Sequence, residues 1–213
     1  MTNLHDFRKD YKRDTLSRNE VSENPIAQFE KWMKEAISSE TVAEPNAMTL
    51  ATSTPEGKPS ARVILLKSFN EEGFVFYTNY ESRKGVELAH NPNAAIVFDW
   101  HVMERQVRIE GVTKKVSAEE SDKYFYSRPK GSQVGAWVSP QSSFIDGREE
   151  LKARQAKIEI EYKGKSITRP PHWGGFVLQP HTIEFWQGRQ SRLHDRLVYI
   201  KADDEWILRR LAP

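Results

Sequence analysis

"AMTLATSTPEGKPSARVILLKSFNEEGFVFYTN", residues 47–79, is the stretch that decides the fold. Its β-branched and aromatic residues come in runs of strand length, and each run ends in turn chemistry. "TPEGKP" separates Met48–Thr54 from Ser60–Ser68, and "NEEG" precedes Phe74–Thr78. Proline and glycine at these points set tight turns. The spacing predicts three antiparallel strands in meander order.

The pattern extends in both directions. Upstream, "ENPIAQFEKWMKEAISSE" offers Asn24 as N-cap and Pro25 at the first helical position, with Ile26, Phe29, Met33, Ala36 and Ile37 on one apolar face. Residues 1–20 alternate charge signs with few apolar anchors, which predicts a mobile N-terminal arm ahead of a single domain over 21–213. Downstream, "SRKGVELAHNP" reads as a short helix ended by Asn91-Pro92, and "NAAIVFDWH" and "RQVRIEGVTKKV" as two more strands. "SAEESDKYFYSRP" opens with a capping box, Ser117 with Glu120, and must stop before Pro129. A helix from Arg148 to about Tyr162, a strand-and-turn region "PPHWGGFVLQPHTIEFWQG", and a closing hairpin of Arg192–Ile200 with Glu205–Arg210 complete the chain. Five early strands and three late ones do not alternate with helices as βαβ units would. The fold class is therefore α+β, mainly β, an antiparallel barrel with peripheral helices.

Composition narrows the function. Lys plus Arg is 32 against 30 for Asp plus Glu, a net charge of +2, so dependence on a general polyanion such as duplex DNA is disfavoured. The absence of cysteine excludes disulfides, thiolate catalysis and cysteine-ligated metal centres, and fits a reducing compartment. No signal-peptide core opens the sequence and no apolar run approaches membrane-span length, so the expectation is a soluble, cytoplasmic protein. Mean hydropathy is −0.71, yet the chain holds six Trp, seven Tyr and ten Phe. A homodimer or a bound aromatic ligand would account for both.

The dinucleotide, nucleotide-triphosphate, zinc-protease and serine-hydrolase signatures are all missing. His181 and Glu184 in "HTIE" are a lone pair, and no metal site is expected. Oxyanion binders are present instead. Arg62 and Lys67 sit near the ends of an apolar strand. Ser82, Arg83 and Lys84 open a helix, where cations gain nothing from the helix dipole and call for a nearby anion. In "YFYSRPKGSQ", Tyr124 lies one turn before Arg128, after which the chain turns through Gly131 to Ser132, a set suited to a monophosphate. Two phosphate sites follow, one for a cofactor and one for a substrate. In "QGRQSRLHDRLVYI", a strand starting at Arg192 would put Arg192, His194 and Arg196 on one face, which then needs a negative or aromatic partner.

"RVILLK", "FYTNYESRK", "ERQVRIEG", "YFYSRPKGSQVGAWVSPQSS", "FWQGRQSRLHDR" and the terminal "RLAP" together resemble the pyridoxine 5′-phosphate oxidases, from the arm to the C-terminus in the same order. The resemblance implies an FMN-binding split barrel, a homodimer with FMN in the cleft between subunits, and oxidation of pyridoxine or pyridoxamine 5′-phosphate by dioxygen to pyridoxal 5′-phosphate and hydrogen peroxide. It assigns FMN to Arg62, Val63, Ile64, Leu65, Leu66, Lys67, Tyr77, Thr78, Arg83, Lys84, Gln106, Gln141, Ser142, Trp186 and Arg196. The substrate phosphate would meet Lys67, Tyr124, Arg128 and Ser132. Arg192 and His194 would face the pyridine ring as catalytic groups, and Arg8 and Tyr11 of the arm would fold over the substrate. Three other readings stay open: a different flavin enzyme on the same barrel, a non-enzymatic pyridoxal 5′-phosphate carrier, and a single-stranded nucleic-acid binder.

Overall fold

The computed structural model describes residues 3–5 and 9–213. Arg8 of the arm lies outside the described residues. The chain forms α1 (Pro25–Ser38), β1 (Ala47–Ser53), β2 (Pro59–Leu65), β3 (Ser68–Asn70), β4 (Gly73–Asn79), α2 (Arg83–His90), β5 (Asn93–Trp100) and β6 (Arg105–Lys115). It continues through α3 (Ala118–Ser127), α4 (Lys130–Val138), α5 (Arg148–Glu161), β7 (Trp173–Gln187), β8 (Asp195–Ala202) and β9 (Glu205–Arg210). All pairings are antiparallel, in the order β2-β1-β5-β6-β7-β4-β3, with β8 added on β7 and β9 on β8.

The long strand β7 organises the sheet. One of its edges follows β6 from Phe176 to Gln187. Its other edge is divided: Trp173–Leu178 pairs with β4, and Thr182–Gln187 pairs with β8. The change of partner falls around Pro180, which has no N–H to give to a ladder, and beside the bulge at Glu110/Gly111. The predicted meander is corrected here. β1 and β2 do form a hairpin, but β4 pairs with β7 rather than β2. The Leu66 N–H goes to Asn46 O and the Lys67 N–H to Val75 O, so two residues carry the chain from one end of the sheet to the other. β2 and β3 thus approach without a shared ladder, which leaves the barrel split.

α1 closes the barrel. Asn24 accepts from the N–H groups of Ile26 and Ala27 at 2.7 and 3.1 Å, as its cap position predicts. Phe29 lies at the centre, with ring contacts of 4.9–5.0 Å to Phe69, Phe74 and Phe98. Ile37, expected on the buried face, is 63% exposed. It lies 100° past Ala36 and off the stripe, where Trp32 is buried instead. A second, smaller core gathers Phe125, Val134, Val138, Ile167 and Trp173 beneath α3 and α4. α4 replaces the predicted turn through Gly131. Its glycines and serine are weak helix formers, and burial of Val134, Ala136 and Val138 overrides them. The last correction concerns Arg192, His194 and Arg196. Gln190–Arg192 is a 3₁₀ turn with Ser191 and Arg192 at φ 55° and 61°, and β8 starts only at Asp195, so the three do not share a strand face. No helix among the described residues is long and apolar enough to cross a membrane.

Candidate active site

The assigned residues fall into two groups at opposite ends of β7. Tyr77 is opposite Gly175, and Gln106 and Arg196 are opposite Trp186. From Gly175 to Trp186 the strand contour is about 36 Å at 3.3 Å per residue.

At the Trp173 end, a cavity of 580 Å³ is lined by Ile64, Leu65, Lys67, Tyr77, Thr78, Lys84, Tyr124, Arg128, Ser132, Gln141 and Trp173, among others. A side chain at position 175 would put its Cβ 2.8 Å from the Tyr77 ring, so glycine there lets the phenol lie on the strand. Tyr77 stacks on Tyr124 at 3.9 Å and on Trp173 at 5.5 Å. Burial, with help from the charge of Glu120, raises the Tyr77 pKa, so the phenol stays protonated. The Arg128 guanidinium lies 4.5 Å from the centre of Trp173. Its Nη1 is buried and has no hydrogen-bond partner among the described residues. Burial holds Lys84 down to about 8, aided by the Arg62 charge. Lys84 reaches only neutral oxygens, of Thr78 at 3.2 Å, Ser82 at 3.3 Å and Gln141 at 3.1 Å. A buried guanidinium edge and a buried ammonium, neither paired with a carboxylate among the described residues, leave positive charge for anionic groups to neutralise. The cavity therefore fits phosphorylated ligands.

Not every residue assigned to FMN lines this cavity. Arg62 turns to Leu50 O, Thr52, Ser60 and Glu87. Arg83 is largely exposed and also reaches Glu87, at 2.9 Å. Burial alone would raise the Glu87 carboxyl, but hydrogen bonds from Ser60, Thr52 and Arg83 outweigh it and hold the group at about 2. Val63 is exposed, Leu66 is buried in the barrel core, and Ser142 is exposed at φ 73° beside Gln141. Both backbone polar groups of Leu66 are taken by Asn46.

At the Trp186 end Arg192 and His194 sit on the loop between β7 and β8, beside Trp186, Gln106 and Arg196 on strands. Trp186 meets the His194 ring at 4.7 Å, and Tyr11 packs edge-on against both at 5.7 Å. Lys9, Asp10, Tyr11, Trp186, Arg189, Ser191, Arg192 and His194 line one cavity, and Gln106 lies in a neighbouring one with Tyr11 and Trp186. The backbone N–H of Arg189 donates to His194 Nδ1 at 3.1 Å. Burial and then the Arg192 charge lower the His194 pKa, so near neutral pH the ring is uncharged with its proton on Nε2. Arg196 makes a two-point contact with buried Glu184 at 2.7 and 3.1 Å, and Arg108 reaches the same carboxylate at 3.2 Å. That use of Glu184 is the alternative to the metal pairing with His181, whose Nδ1 lies 3.0 Å from Thr182 Oγ1. Among the described residues no group of three or more His, Asp or Glu could hold a metal. Sequence reasoning passed over Trp173, Glu87 and Glu104, and weighed Glu184 only as half of a metal pair with His181. The signal that could have found Trp173 is the Gly174-Gly175 pair after it, where a side chain would meet the rings of Tyr80 and Tyr77.

Residues 33–162 match the family described as pyridoxamine 5′-phosphate oxidase, and residues 173–213 match the pyridoxine 5′-phosphate oxidase C-terminal dimerisation region. A pyridoxine/pyridoxamine 5′-phosphate oxidase from Cyanothece sp. is 57% identical over 210 residues, covering 99% of this chain and 98% of its own. One from Burkholderia thailandensis is 56% identical over 216 residues, covering all of both chains. Among solved structures, PhzG from Burkholderia lata, in complex with tetrahydrophenazine-1-carboxylic acid, superposes with a TM-score of 0.87 at 33% identity over 94% of this chain and 98% of its own. A pyridoxamine 5′-phosphate oxidase-related FMN-binding protein from Nostoc punctiforme gives 0.70 at 19% identity over 91% of this chain and 100% of its own, a likeness of fold.

Proposed function

Because the chain belongs to the pyridoxine/pyridoxamine 5′-phosphate oxidase family, we propose that the two ends of β7 divide the work of one reaction. The reaction is the FMN-dependent oxidation of pyridoxine or pyridoxamine 5′-phosphate to pyridoxal 5′-phosphate, with dioxygen reduced to hydrogen peroxide and, for the amine, water taken up and ammonia released. FMN, when bound, would supply the redox chemistry: a two-electron acceptor for the substrate carbon that bears the alcohol or amine, reoxidisable by dioxygen. The protein's share is binding, orientation and charge.

At the Trp173 end, Lys67, Tyr124, Arg128 and Ser132 hold the substrate phosphate, and Lys84, with Thr78 and Gln141 around its ammonium, serves the FMN phosphate. The unpartnered, buried Arg128 Nη1 is the observation that carries this reading. Phosphate binding there is remote from the reacting carbon and supplies the energy that holds the carbon in place. At the Trp186 end, Arg192 lays a planar cation beside the pyridine ring. His194 faces it with Nε2–H, because Nδ1 already accepts from Arg189. Tyr11 covers the ring and keeps water out, and Arg196 and Gln106 serve FMN.

Within one chain the two ends of β7 line separate cavities. The C-terminal dimerisation region supports a homodimer in which the Trp173 end of one subunit meets the Trp186 end of its partner, with FMN between them. Residues 21–213 act as the FMN-binding unit and residues 1–20 as its arm, in a cytoplasmic enzyme. The visible spectrum of the purified protein tests the reading. Anaerobic pyridoxine 5′-phosphate should bleach the flavin band, and air should restore it with release of peroxide. A flavin band that the substrate leaves unchanged would contradict it.

A further inference from the structure

Glu104 lies outside every role assigned so far, yet three segments meet on it. It follows the 3₁₀ turn His101–Met103 at φ 56°, a left-handed conformation that favours glycine or asparagine. It is 6% exposed. A glutamate held buried in that conformation implies that its side chain is needed there. Its Oε2 accepts the backbone N–H groups of Lys12 and Arg13, both at 2.9 Å, and Oε1 lies 3.6 Å from Lys9 Nζ. Its backbone carbonyl accepts from Gly188 N at 2.7 Å and from the buried Gln187 side chain at 3.1 Å. Gly188 opens the loop that carries Arg192 and His194. A side chain at 188 would meet the Tyr11 ring at 2.7 Å and Glu104 Cβ at 3.1 Å, so arm, loop and Glu104 are packed together without slack.

We infer that Glu104 is a positioning residue that latches the arm onto the loop carrying Arg192 and His194, with the carboxylate holding the arm and the carbonyl holding the loop. This rests on the proposal that Tyr11 covers the substrate. Both hydrogen bonds to the carboxylate come from main-chain N–H groups, beside the longer ion pair with Lys9, so it fixes the arm's backbone path and with it the place of Tyr11.

Glu104→Gln keeps the shape and removes the charge. Glu104→Asn suits the left-handed backbone but is too short to reach the arm. In the holoenzyme, tryptic cleavage after Lys9, Lys12 and Arg13, followed by mass, should speed up about tenfold in both variants, the loss of about one charge-assisted hydrogen bond, with the thermal midpoint and FMN content kept. KM for pyridoxamine 5′-phosphate should rise by about the same factor while kcat changes less. Tyr11→Ala should raise KM similarly, and combining it with Glu104→Gln should add little, because both act through one contact. Unchanged cleavage in both Glu104 variants, or fully additive effects on KM, would overturn the latch. Faster cleavage with KM unchanged in the Glu104 variants and in Tyr11→Ala would instead remove the arm from substrate binding, and Glu104's positioning role with it.

Discussion

At the Trp173 end of β7 the groups assigned to the substrate phosphate stand in or directly beside strands and helices; at the Trp186 end Arg192, His194 and Tyr11 ride on a loop and an arm. Tyr77 lies flat on Gly175, Tyr124 comes from α3 and Lys84 from the first turn of α2, so the anion cavity is built by the same packing that builds the second core. Arg192, by contrast, sits on a left-handed backbone in a 3₁₀ turn, and His194 is oriented by one backbone N–H and two aromatic rings. The groups proposed for a constant feature, the phosphate, lie in regular elements or next to their ends. The groups proposed for the reacting ring are held by polar contacts that opening of the arm can loosen.

Substitutions can break that contrast. Arg128→Met should do the most damage at the fixed end: KM for pyridoxine 5′-phosphate should rise on the order of a hundredfold or more, as expected when a buried ligand charge loses its partner. FMN content should stay near that of the unaltered protein, and a parallel loss of FMN would mean the two phosphate sites are not separate. At the loop end, Arg192→Met and His194→Asn should each slow single-turnover flavin reduction at saturating substrate by about ten- to a hundredfold. Rates left unchanged in both would remove these residues from the chemistry.

Acidity offers a finer test. In the free protein the Lys84 ammonium is held down to about 8, and a phosphate beside it must raise that value. Between about 8 and the raised value FMN binding takes up a proton, so affinity should fall as pH rises, by up to about tenfold per pH unit. Titrating FMN into the apoprotein from pH 7 to 10 checks it, and Lys84→Met should flatten the profile. The smallest effect is expected from Glu184→Gln, which loosens Arg196 and should weaken FMN by about threefold, in line with a partly exposed charged contact. Equilibrium fluorescence of FMN measures the change.

Local chemistry made much of the fold legible. Asn24 and Pro25 start α1, Ser117 caps α3 and Pro129 stops it as expected, while Ser82, read as part of the first turn of α2, is its cap. What the sequence hid was decided by distant partners. Nothing near residues 73–79 shows that β4 leaves its neighbour β2 for β7 about a hundred residues later, and α4 exists because the second core needs Val134 and Val138 rather than because glycine and serine favour helix. The cavity residues Lys67, Tyr124, Arg128 and Ser132 could be picked out from their spacing and a family resemblance. Glu87, Glu104 and Glu184 could not, because a carboxylate's use depends on what it meets: Ser60 for Glu87, the arm for Glu104 and Arg108 for Glu184. Alternation misplaced Arg192 and His194 for a related reason, since it assumes a strand where left-handed residues turn the chain.

The central claim is that a working site takes its Trp173 end from one subunit and its Trp186 end from the other. Mixing Arg128→Met and His194→Asn subunits, unfolded together and refolded, tests it directly. With random pairing, half the dimers are mixed and each has one intact site, so activity should recover to about a quarter of that of the unaltered protein. Activity no higher than the average of the two separate variants would show that each subunit builds its site alone and would contradict the account.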